Sequence, residues 1–311
     1  MSVDARPGVE GRHSFDEIPL SRWGAADRIG AANLLPSHLD AALLALTGLG
    51  RIFDLTQTIS SASPRLAPGM SPFTMCMWTH PHDNAVYNEE HFAATNGMAF
   101  ADERIEGDLH TGTHVDALAH AWVGDRTFNR LSMREVVTSQ GLRELGVENL
   151  PPVITRGVLL DIPRLRGRSL RPGEAIDAAA LAAAAEAQGV QVRAGDAVFV
   201  HTGWADFYAD GTDRFIRDSP GIDVSGARWL AERGAVLVGS DTMGLEVWPT
   251  GVAGSHFPVH VELLVNQGVY ILEQADLRPL VSAGVSEFLC LCLTPLFVGA
   301  TAAPVRLIAI A

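Results

Sequence analysis

The sequence is poor in cysteine, in basic residues and in long apolar runs. It has 3 cysteines in 311 residues, and such sparse usage is typical of proteins from a reducing compartment. Lysine and arginine total 23 against 36 aspartates and glutamates, giving a net charge of -13. Because phosphate neutralisation needs clustered basic side chains, we expect no nucleic-acid partner. No run approaches the roughly 18 apolar residues that cross a bilayer, so we expect no membrane partner.

The absence of a secretory segment and of several catalytic motifs narrows the range of possible functions. The first twenty residues contain no apolar core of the kind found in secretory signals, so we expect a cytoplasmic location. The sequence contains no GxGxxG fingerprint, no Walker loop and no GxSxG elbow. Dinucleotide chemistry and serine-triad chemistry therefore have little support.

Composition and length favour one domain of the α/β class. Apolar residues make up 47% of the chain, which is enough for a full core in a protein of this length. Residues 1–50 are polar at first and rich in turn formers, and we expect a partly irregular N-terminal arm there. Residues 51–311 contain both strand and helix patterns in partly alternating order, so we expect a single α/β domain.

The local patterns predict individual elements. Asp177 is placed to cap a helix, AAALAAAAEAQ, that Gly189 ends, and Asp223 to begin a second helix that ends at Gly234. A third helix is expected over 260–268. Short apolar and β-branched segments predict strands at 51–60, 73–78, 156–162, 196–204, 235–241, 269–277, 288–296 and 305–311. Residues 61–70 are expected to form a loop, 79–107 to be irregular, and Cys290 and Cys292 to share one face of a buried strand.

The segment DLHTGTHVDALAHAW, residues 108–122, concentrates groups that bind metals. His110, His114, Asp116 and His120 lie within eleven positions around Gly112. In an extended segment, alternate positions from 110 to 116 point the same way, and Gly112 would leave room for an ion between its neighbours. Two imidazoles and a carboxylate suit Zn²⁺, Mn²⁺ or Fe²⁺.

The same segment suggests roles for its last residues. Asp116 could cap a following helix, which would place His120 near the ion without ligating it, where a general base belongs. The alternative is that these are ordinary polar residues of a loop. A packing role explains three histidines and an aspartate in phase less well, because such a cluster is costly to bury without an ion.

The segment HTGTHVDALAH resembles the HxGTHxDxxxH signature of the cyclase-like metal hydrolases, and every fixed position of that signature is present. The family includes bacterial kynurenine formamidases and isatin hydrolases. Further segments are similar to other conserved parts of the family, and the resemblance extends from about residue 51 to the end. These segments are DLTQTIS, GDAVFVHTGW, HFPVHVELLVNQGVYILE and TPLFVGATAAPVRLIAI.

The resemblance implies a swivelling β/β/α fold with a mixed β core and flanking helices, usually oligomeric as a dimer or tetramer. It also implies a metal-activated water. By position, His120 matches the catalytic histidine, and Asp116 can bridge two ions. The positions that match metal ligands are His110, His114 and Asp116 for a first ion, and His260 and Glu273 for a second. Isatin hydrolase-like members use one Mn²⁺ and lack the glutamate, so Glu273 favours two ions, either zinc or manganese.

Several polar residues lie outside these motifs. Trp78, His80 and His91, with His82 and Tyr87, fall in or beside an insert at 79–100 and either line the substrate pocket or belong to a surface loop. His201, followed by Asp206, is a weaker candidate for the pocket. Asp241 and Glu246 either orient the segment HFPVHVELLVNQGVYILE or cap turns, and we favour the turns.

The function expected from these residues is that of a metal-dependent amidohydrolase. Such an enzyme cleaves a carbon–nitrogen bond of a cyclic or aryl amide, a small-molecule substrate, by means of a metal-activated water. The alternatives are a lyase or cyclase on the same metal scaffold, a lactone hydrolase, and a metal-binding protein without catalysis.

Overall fold

The computed structural model describes residues 18–48, 50–65, 71–77, 90–91, 98, 100–209 and 212–311. Its strands are β1 (Ile52–Asp54), β2 (Thr74–Met77), β3 (Glu103–Glu106), β4 (His114–Asp116), β5 (Val137–Thr138), β6 (Gly141–Leu142), β7 (Val153–Asp161), β8 (Ala175–Ile176), β9 (Ala197–His201), β10 (Gly221–Ile222), β11 (Leu237–Ser240), β12 (Tyr270–Glu273), β13 (Glu287–Leu293), β14 (Ala302–Pro304) and β15 (Arg306–Ile310).

The helices of these residues are mostly short. The α-helices are α1 (Ala41–Ala45), α2 (Met133–Val136), α3 (Ile162–Arg166), α4 (Ala178–Gln188), α5 (Thr212–Ile216), α6 (Val224–Glu232), α7 (Pro258–His260) and α8 (Arg278–Ala283). A π-helix, Val261–Gln267, continues α7. Single 3-10 turns occur at Gly30–Leu34, Leu118–His120, Phe128–Arg130, Val147–Asn149 and Trp204–Phe207. No helix of these residues is long and apolar enough to cross a membrane.

One mixed sheet organises the fold. Nine strands follow the order β1-β15-β13-β7-β9-β11-β12-β4-β14. The central strands β7, β9, β11 and β12 run parallel to one another, and the outer neighbours pair antiparallel. Parallel strands require cover on both faces, which explains their runs of valine, leucine and phenylalanine. The predicted α/β domain with a mixed β core and flanking helices is confirmed.

The two best-defined helices begin and end where the sequence predicts. The Asp177 side chain accepts a hydrogen bond from the Ala180 amide, and Gly189 ends α4 in a left-handed conformation with φ 68°. Asp223 accepts from the Gly226 amide at the start of α6. Helices α4 and α6 pack against each other, and α6 packs against the π-helix, so the three form a layer beside the sheet.

Other predicted elements differ from the structure. The strand expected at 51–60 extends only over β1. Residues 103–106, expected to be irregular, form β3, which pairs with β2 from Thr74 opposite Glu106 to Met77 opposite Glu103. That pairing joins segments far apart in sequence, so no local pattern indicates it. The expectation for Cys290 and Cys292 is confirmed, since both are buried on β13.

The described part of the N-terminal arm, residues 18–48, contacts the rest of the chain. The Asn129 side-chain amide donates to the backbone oxygens of Gly24, Ala25 and Asp27 at 3.0, 3.1 and 3.2 Å. The Ala31 amide donates to the oxygen of Gly268 at 2.7 Å. These bonds hold the arm beside the end of the π-helix.

Candidate metal centre

The register of two strands brings three donors together. In the antiparallel pair of β4 and β12, His114 lies opposite Glu273 and Asp116 opposite Ile271. Cross-strand partners and alternate residues share a face, so His114, Asp116 and Glu273 point to the same side. His114 Nε2 lies 3.4 Å from Asp116 Oδ1 and 3.3 Å from Glu273 Oε2, and all three residues are buried.

Two further histidines approach from outside the strand. His110 lies in a turn in which its backbone amide donates to Asp108 Oδ1. Its ring Nδ1 lies 3.0 Å from Asp116 Oδ1. His120 ends the 3-10 turn after β4, and its Nε2 lies 3.9 Å from Asp116 Oδ2. The expected extended conformation from 110 to 116 is wrong, because only 114–116 is strand. The turn nevertheless carries His110 to the same carboxylate.

Gly112 and Asp116 act differently from the prediction. Gly112 adopts φ 71°, and a Cβ there would stand 2.7 Å from Ile59 Cγ1. The glycine therefore permits a left-handed turn against Ile59 and does not make room for an ion. Asp116 does not cap the following turn, whose N-cap residue is Ala117 and which has no side-chain cap.

The segment HFPVHVELLVNQGVYILE, residues 256–273, supplies His260. Its Nε2 lies 3.7 Å from Asp116 Oδ2 and 3.2 Å from Glu273 Oε1, and its Nδ1 lies 2.6 Å from Glu246 Oε1. Glu246 therefore orients His260, and its carboxylate also accepts from the Val259 and His260 amides, so the interpretation of it as a turn cap alone is wrong. That interpretation is correct for Asp241, whose carboxylate accepts from the Thr202 and Gly203 amides at 2.9 Å each.

The backbone near these donors adopts rare conformations. Leu245 (φ 58°), Phe257 (φ 49°) and Gln274 (φ 57°) are non-glycine residues in the left-handed region. They lie directly before Glu246, before Pro258, and after Glu273. Each such residue costs on the order of 1–3 kcal/mol, and residues of this kind cluster at functional sites where the surroundings hold them.

The donors form two compact groups, and the carboxylate of Asp116 belongs to both. One group is His110, Asp116 and His120; the other is His114, Asp116 and Glu273. Within each group the donor atoms lie within 4.8 Å of one another. Among the described residues, His114 Nε2 and both Asp116 oxygens have no hydrogen-bond partner although they are fully buried. Since buried polar atoms are almost always partnered, the set fits divalent cations that accept nitrogen and carboxylate ligands.

The electrostatics also favour positive charge at this point. Burial alone would lower the pKa of His114, but the carboxylates of Asp116 and Glu273 raise it to about 10. Burial opposes the same effect at His260, whose pKa the carboxylates of Glu246 and Glu273 raise well above its usual range. The surrounding histidines lower the pKa of Asp116 against its burial. Protons on the imidazoles thus balance the negative charge of the carboxylates. A bound cation would balance the same charge in their place.

His120 differs from its neighbours. Desolvation in the cleft lowers its pKa to about 4, and the nearby His110 and His260 add to that effect against the attraction of Asp116. The ring is therefore neutral at pH 7, with a nitrogen free to accept a proton. About a third of the side chain is exposed, so a small molecule can reach it.

A cavity of about 670 Å³ opens over the cluster. Its lining includes His110, His120, His260 and Glu273 together with residues that the sequence analysis did not select, among them Arg65, Asp108, Trp122, Met243, His256, Phe257 and Thr301. Trp122 ends the segment 108–122, and His256 and Phe257 begin the segment HFPVHVELLVNQGVYILE, so their place in these two segments was the available signal. The Phe257 ring meets the His260 ring edge-on at 5.1 Å.

Of the four weaker pocket candidates, the two that the structure describes do not line this cavity. His91 is exposed and does not line the cavity. His201 is buried at the end of β9, with Nδ1 3.0 Å from Asp161 Oδ1 and Nε2 3.8 Å from Asp241 Oδ2, and it does not line the cavity either. Trp78 and His80, like His82 and Tyr87, lie outside the described residues.

Several solved structures have a similar fold. A structure described as a novel cyclase superposes with a TM-score of 0.81 at 29% identity, over 94% of this chain and 98% of that one. An isatin hydrolase bound to the product analogue thioisatinate gives 0.65 at 20% identity, over 88% and 99%. Isatin hydrolase A from Ralstonia solanacearum gives 0.64 at 22%, over 88% and 98%. Among curated proteins, none matches this sequence.

The family comparison agrees with the signature around His110. The model of the family named Cyclase matches residues 53–247, more than half of the chain. That span includes the segment with His110, His114, Asp116 and His120 and ends at the residue after Glu246. The chain belongs to the cyclase family.

Proposed function

We propose that this chain is a metal-dependent hydrolase that cleaves a carbon–nitrogen bond of a cyclic or aryl amide. The observation that carries the proposal is the buried carboxylate of Asp116, which lacks hydrogen-bond partners among the described residues and is shared by two groups of donors. The solved isatin hydrolases, whose fold is similar, support the choice of bond.

The proposed ligands are His110, His114, Asp116, His260 and Glu273, with zinc or manganese as the ion. When bound, the cation acts as a Lewis acid that makes water nucleophilic near neutral pH and polarises a carbonyl. The Nδ1–H of His114 donates to the oxygen of Gly112 at 2.8 Å, which leaves its Nε2 facing the other donors. Two groups around one shared carboxylate favour two ions over one.

The proposed general base is His120. Its ring is neutral at pH 7 because its pKa is lowered to about 4, and it lines the cavity beside the donors. Its nitrogen takes a proton from the attacking water and returns it to the leaving nitrogen. The side chains of Trp122 and Phe257, also in the lining, give a substrate apolar surface to contact.

Turnover on a small substrate panel tests this function. The panel comprises N-formylkynurenine, isatin, a cyclic imide and an aryl lactone, each assayed with added Zn²⁺ or Mn²⁺ and after chelation. We expect hydrolysis of at least one amide that chelation abolishes and that added metal restores. Hydrolysis of the lactone alone would move the assignment to lactones. Turnover that survives chelation would contradict the proposal.

A second candidate is a lyase or cyclase reaction at the same site. The similarity to a structure described as a novel cyclase, at 29% identity, supports it. In that reaction His120 would abstract a proton next to a carbonyl. Reaction in ¹⁸O-labelled water separates the two candidates, because hydrolysis incorporates the label into the product carboxylate and a lyase reaction does not.

We also infer that the chain forms a homo-oligomer, a dimer or a tetramer, and that it acts in the cytoplasm. Three consecutive apolar residues support the oligomer: Leu296, Phe297 and Val298 are 73%, 42% and 82% exposed, and such runs are rare on monomers without a partner surface. Light scattering at working concentration tests it, and the mass of a single chain would contradict it.

A further inference from the structure

The hydrogen bonds of His260 point to a residue outside the donor cluster. The buried carboxylate of Glu246 accepts from His260 Nδ1 at 2.6 Å, from the His260 backbone amide at 3.2 Å and from the Val259 amide at 3.3 Å. The two amides belong to α7, the helix that continues into Val261–Gln267. The N-cap residue of α7, Phe257, provides no side-chain hydrogen bond. One carboxylate therefore holds both the helix start and the imidazole.

The position of Glu246 is fixed by a different part of the fold. Its backbone forms a parallel bridge with Ile222, and the Val247 amide donates to the Ile222 oxygen at 3.1 Å. A Cβ on Gly221 would stand 2.3 Å from the carbonyl carbon of Glu246, so the two backbones touch. The carboxylate is thus anchored by β10, which lies outside the pair of strands that carries Asp116 and Glu273.

The chemistry of the pair determines which nitrogen of His260 faces the donors. An ionised carboxylate only accepts, so His260 Nδ1 carries the hydrogen. A neutral imidazole then presents a bare Nε2 toward Asp116 Oδ2 and Glu273 Oε1, at 3.7 and 3.2 Å. Without a cation, a proton on Nε2 faces these two oxygens; with a cation between them, the lone pair of Nε2 faces the cation instead, while Nδ1 keeps its hydrogen on Glu246 in both cases.

We propose that Glu246 is a positioning residue that fixes the tautomer and orientation of His260 for cation binding. The inference rests on the proposed function, since it requires that the donor cluster bind a cation. It adds to that function a residue which touches neither the cation nor the cavity above the cluster. Outer partners of metal-ligating histidines typically contribute 10- to 100-fold to metal affinity.

The test compares Glu246→Gln and Glu246→Ala with a matched control, Asp241→Asn. Asp241 lies in the same segment, is fully buried and accepts three hydrogen bonds, from Thr202 N, Thr202 Oγ1 and Gly203 N. It has no bond to His260. The full-length proteins are titrated with Zn²⁺ and with Mn²⁺ below their unfolding temperatures, and the bound ions are counted by elemental analysis. Nitrogen-15 spectra of the histidine rings report the tautomer of His260.

We expect both Glu246 variants to bind one of two ions about 10- to 100-fold more weakly, with a changed tautomer population at His260. The control should unfold at a lower temperature yet bind metal within about threefold of the wild type, since it keeps every group around His260. Equal affinity of Glu246→Gln and wild type would overturn the inference and leave the proposed function standing. A wild-type protein that binds neither ion would overturn both.

Discussion

Two buried clusters of histidine and carboxylate lie in this molecule, and they differ in how their oxygens are partnered. In the first, Asp116 is approached by histidines, but among the described residues neither of its oxygens accepts a hydrogen bond. In the second, His201 lies between Asp161 and Asp241 at the ends of parallel strands. There Asp161 accepts from the Arg164 amide, and Asp241 accepts from Thr202 and Gly203.

The difference separates a binding site from a structural one. A carboxylate whose acceptors are satisfied by backbone amides stabilises the local turn and needs no ligand. A carboxylate buried without such partners carries a desolvation cost that positive charge must offset, either protons on the neighbouring imidazoles or an added cation. Residue type alone does not distinguish the clusters, because both combine histidine with aspartate. Each of the following experiments changes one side of this comparison.

The largest effect is expected from Asp116→Asn. The substitution keeps the shape of the side chain but removes the charge shared by both donor groups. We expect activity to fall by about 10³-fold or more, since the bound ion supplies several kcal/mol of transition-state stabilisation. Steady-state kinetics and metal content measure it.

The matched change Asp241→Asn should instead leave activity near normal and lower the free energy of unfolding by about 1–3 kcal/mol. The reverse pattern would show that the two clusters were assigned the wrong way round.

His120→Ala should give the next largest effect. Loss of a general base typically costs about 10²- to 10⁴-fold in rate, while the five proposed ligands remain in place. We therefore expect a slow enzyme that retains its metal, as measured by elemental analysis beside kcat. A variant that loses an ion would identify His120 as a ligand, which its place in a compact group with His110 and Asp116 would explain.

His201→Asn tests the structural cluster. The hydrogen bond from His201 to Asp161 is buried, and its loss should lower the free energy of unfolding by about 2 kcal/mol. Urea denaturation measures that change. Metal content should equal that of the wild type, and a loss of metal would connect the two clusters.

The loss of stability in His201→Asn should itself depend on pH, which is a smaller effect. Burial lowers the pKa of His201, but the hydrogen bond to Asp161 and the charges of Asp241 and Asp161 raise it above its ordinary value. The charged pair therefore stabilises the fold fully below about pH 6.5, and the stabilisation is lost as pH rises through the raised pKa. The advantage of the wild type over His201→Asn in the free energy of unfolding should therefore shrink between pH 6 and pH 9. An advantage that grows with pH would contradict the assignment.

The smallest effect is expected in the difference in stability between Gly112→Ala and its control, Gly189→Ala. Both glycines have φ near 70°, but a Cβ at 112 would contact Ile59 whereas at 189 it would meet nothing within 4 Å. Both variants should lose about 1 kcal/mol from the left-handed backbone. Gly112→Ala should lose about 1 kcal/mol more from the clash. Thermal unfolding measures both, and equal losses would show that Ile59 yields without cost.

The sequence predicted what depends on near neighbours. The helix from Ala178 to Gln188 follows from Asp177 and Gly189 because capping acts within one turn. The crowding of His110, His114 and Asp116 was visible for the same reason, and the family resemblance added His260 and Glu273.

What the sequence did not predict depends on contacts between distant segments. Glu246 reaches His260 across a loop in which Leu245 and Phe257 adopt left-handed conformations although neither residue is glycine, so residue type did not predict them. The conformation of 110–113 depends on Ile59, which lies some fifty residues earlier. The pairing of β3 with β2 likewise joins segments that no local pattern connects.

The most direct test of the central claim is the number of divalent ions bound by the wild-type protein. The purified protein is stripped with a chelator, dialysed against Zn²⁺ or Mn²⁺, and analysed for metal and for chain concentration. The shared carboxylate of Asp116 predicts two ions per chain, with one or none in Asp116→Asn. A stable, folded wild-type protein that retains no ion under these conditions would contradict the account.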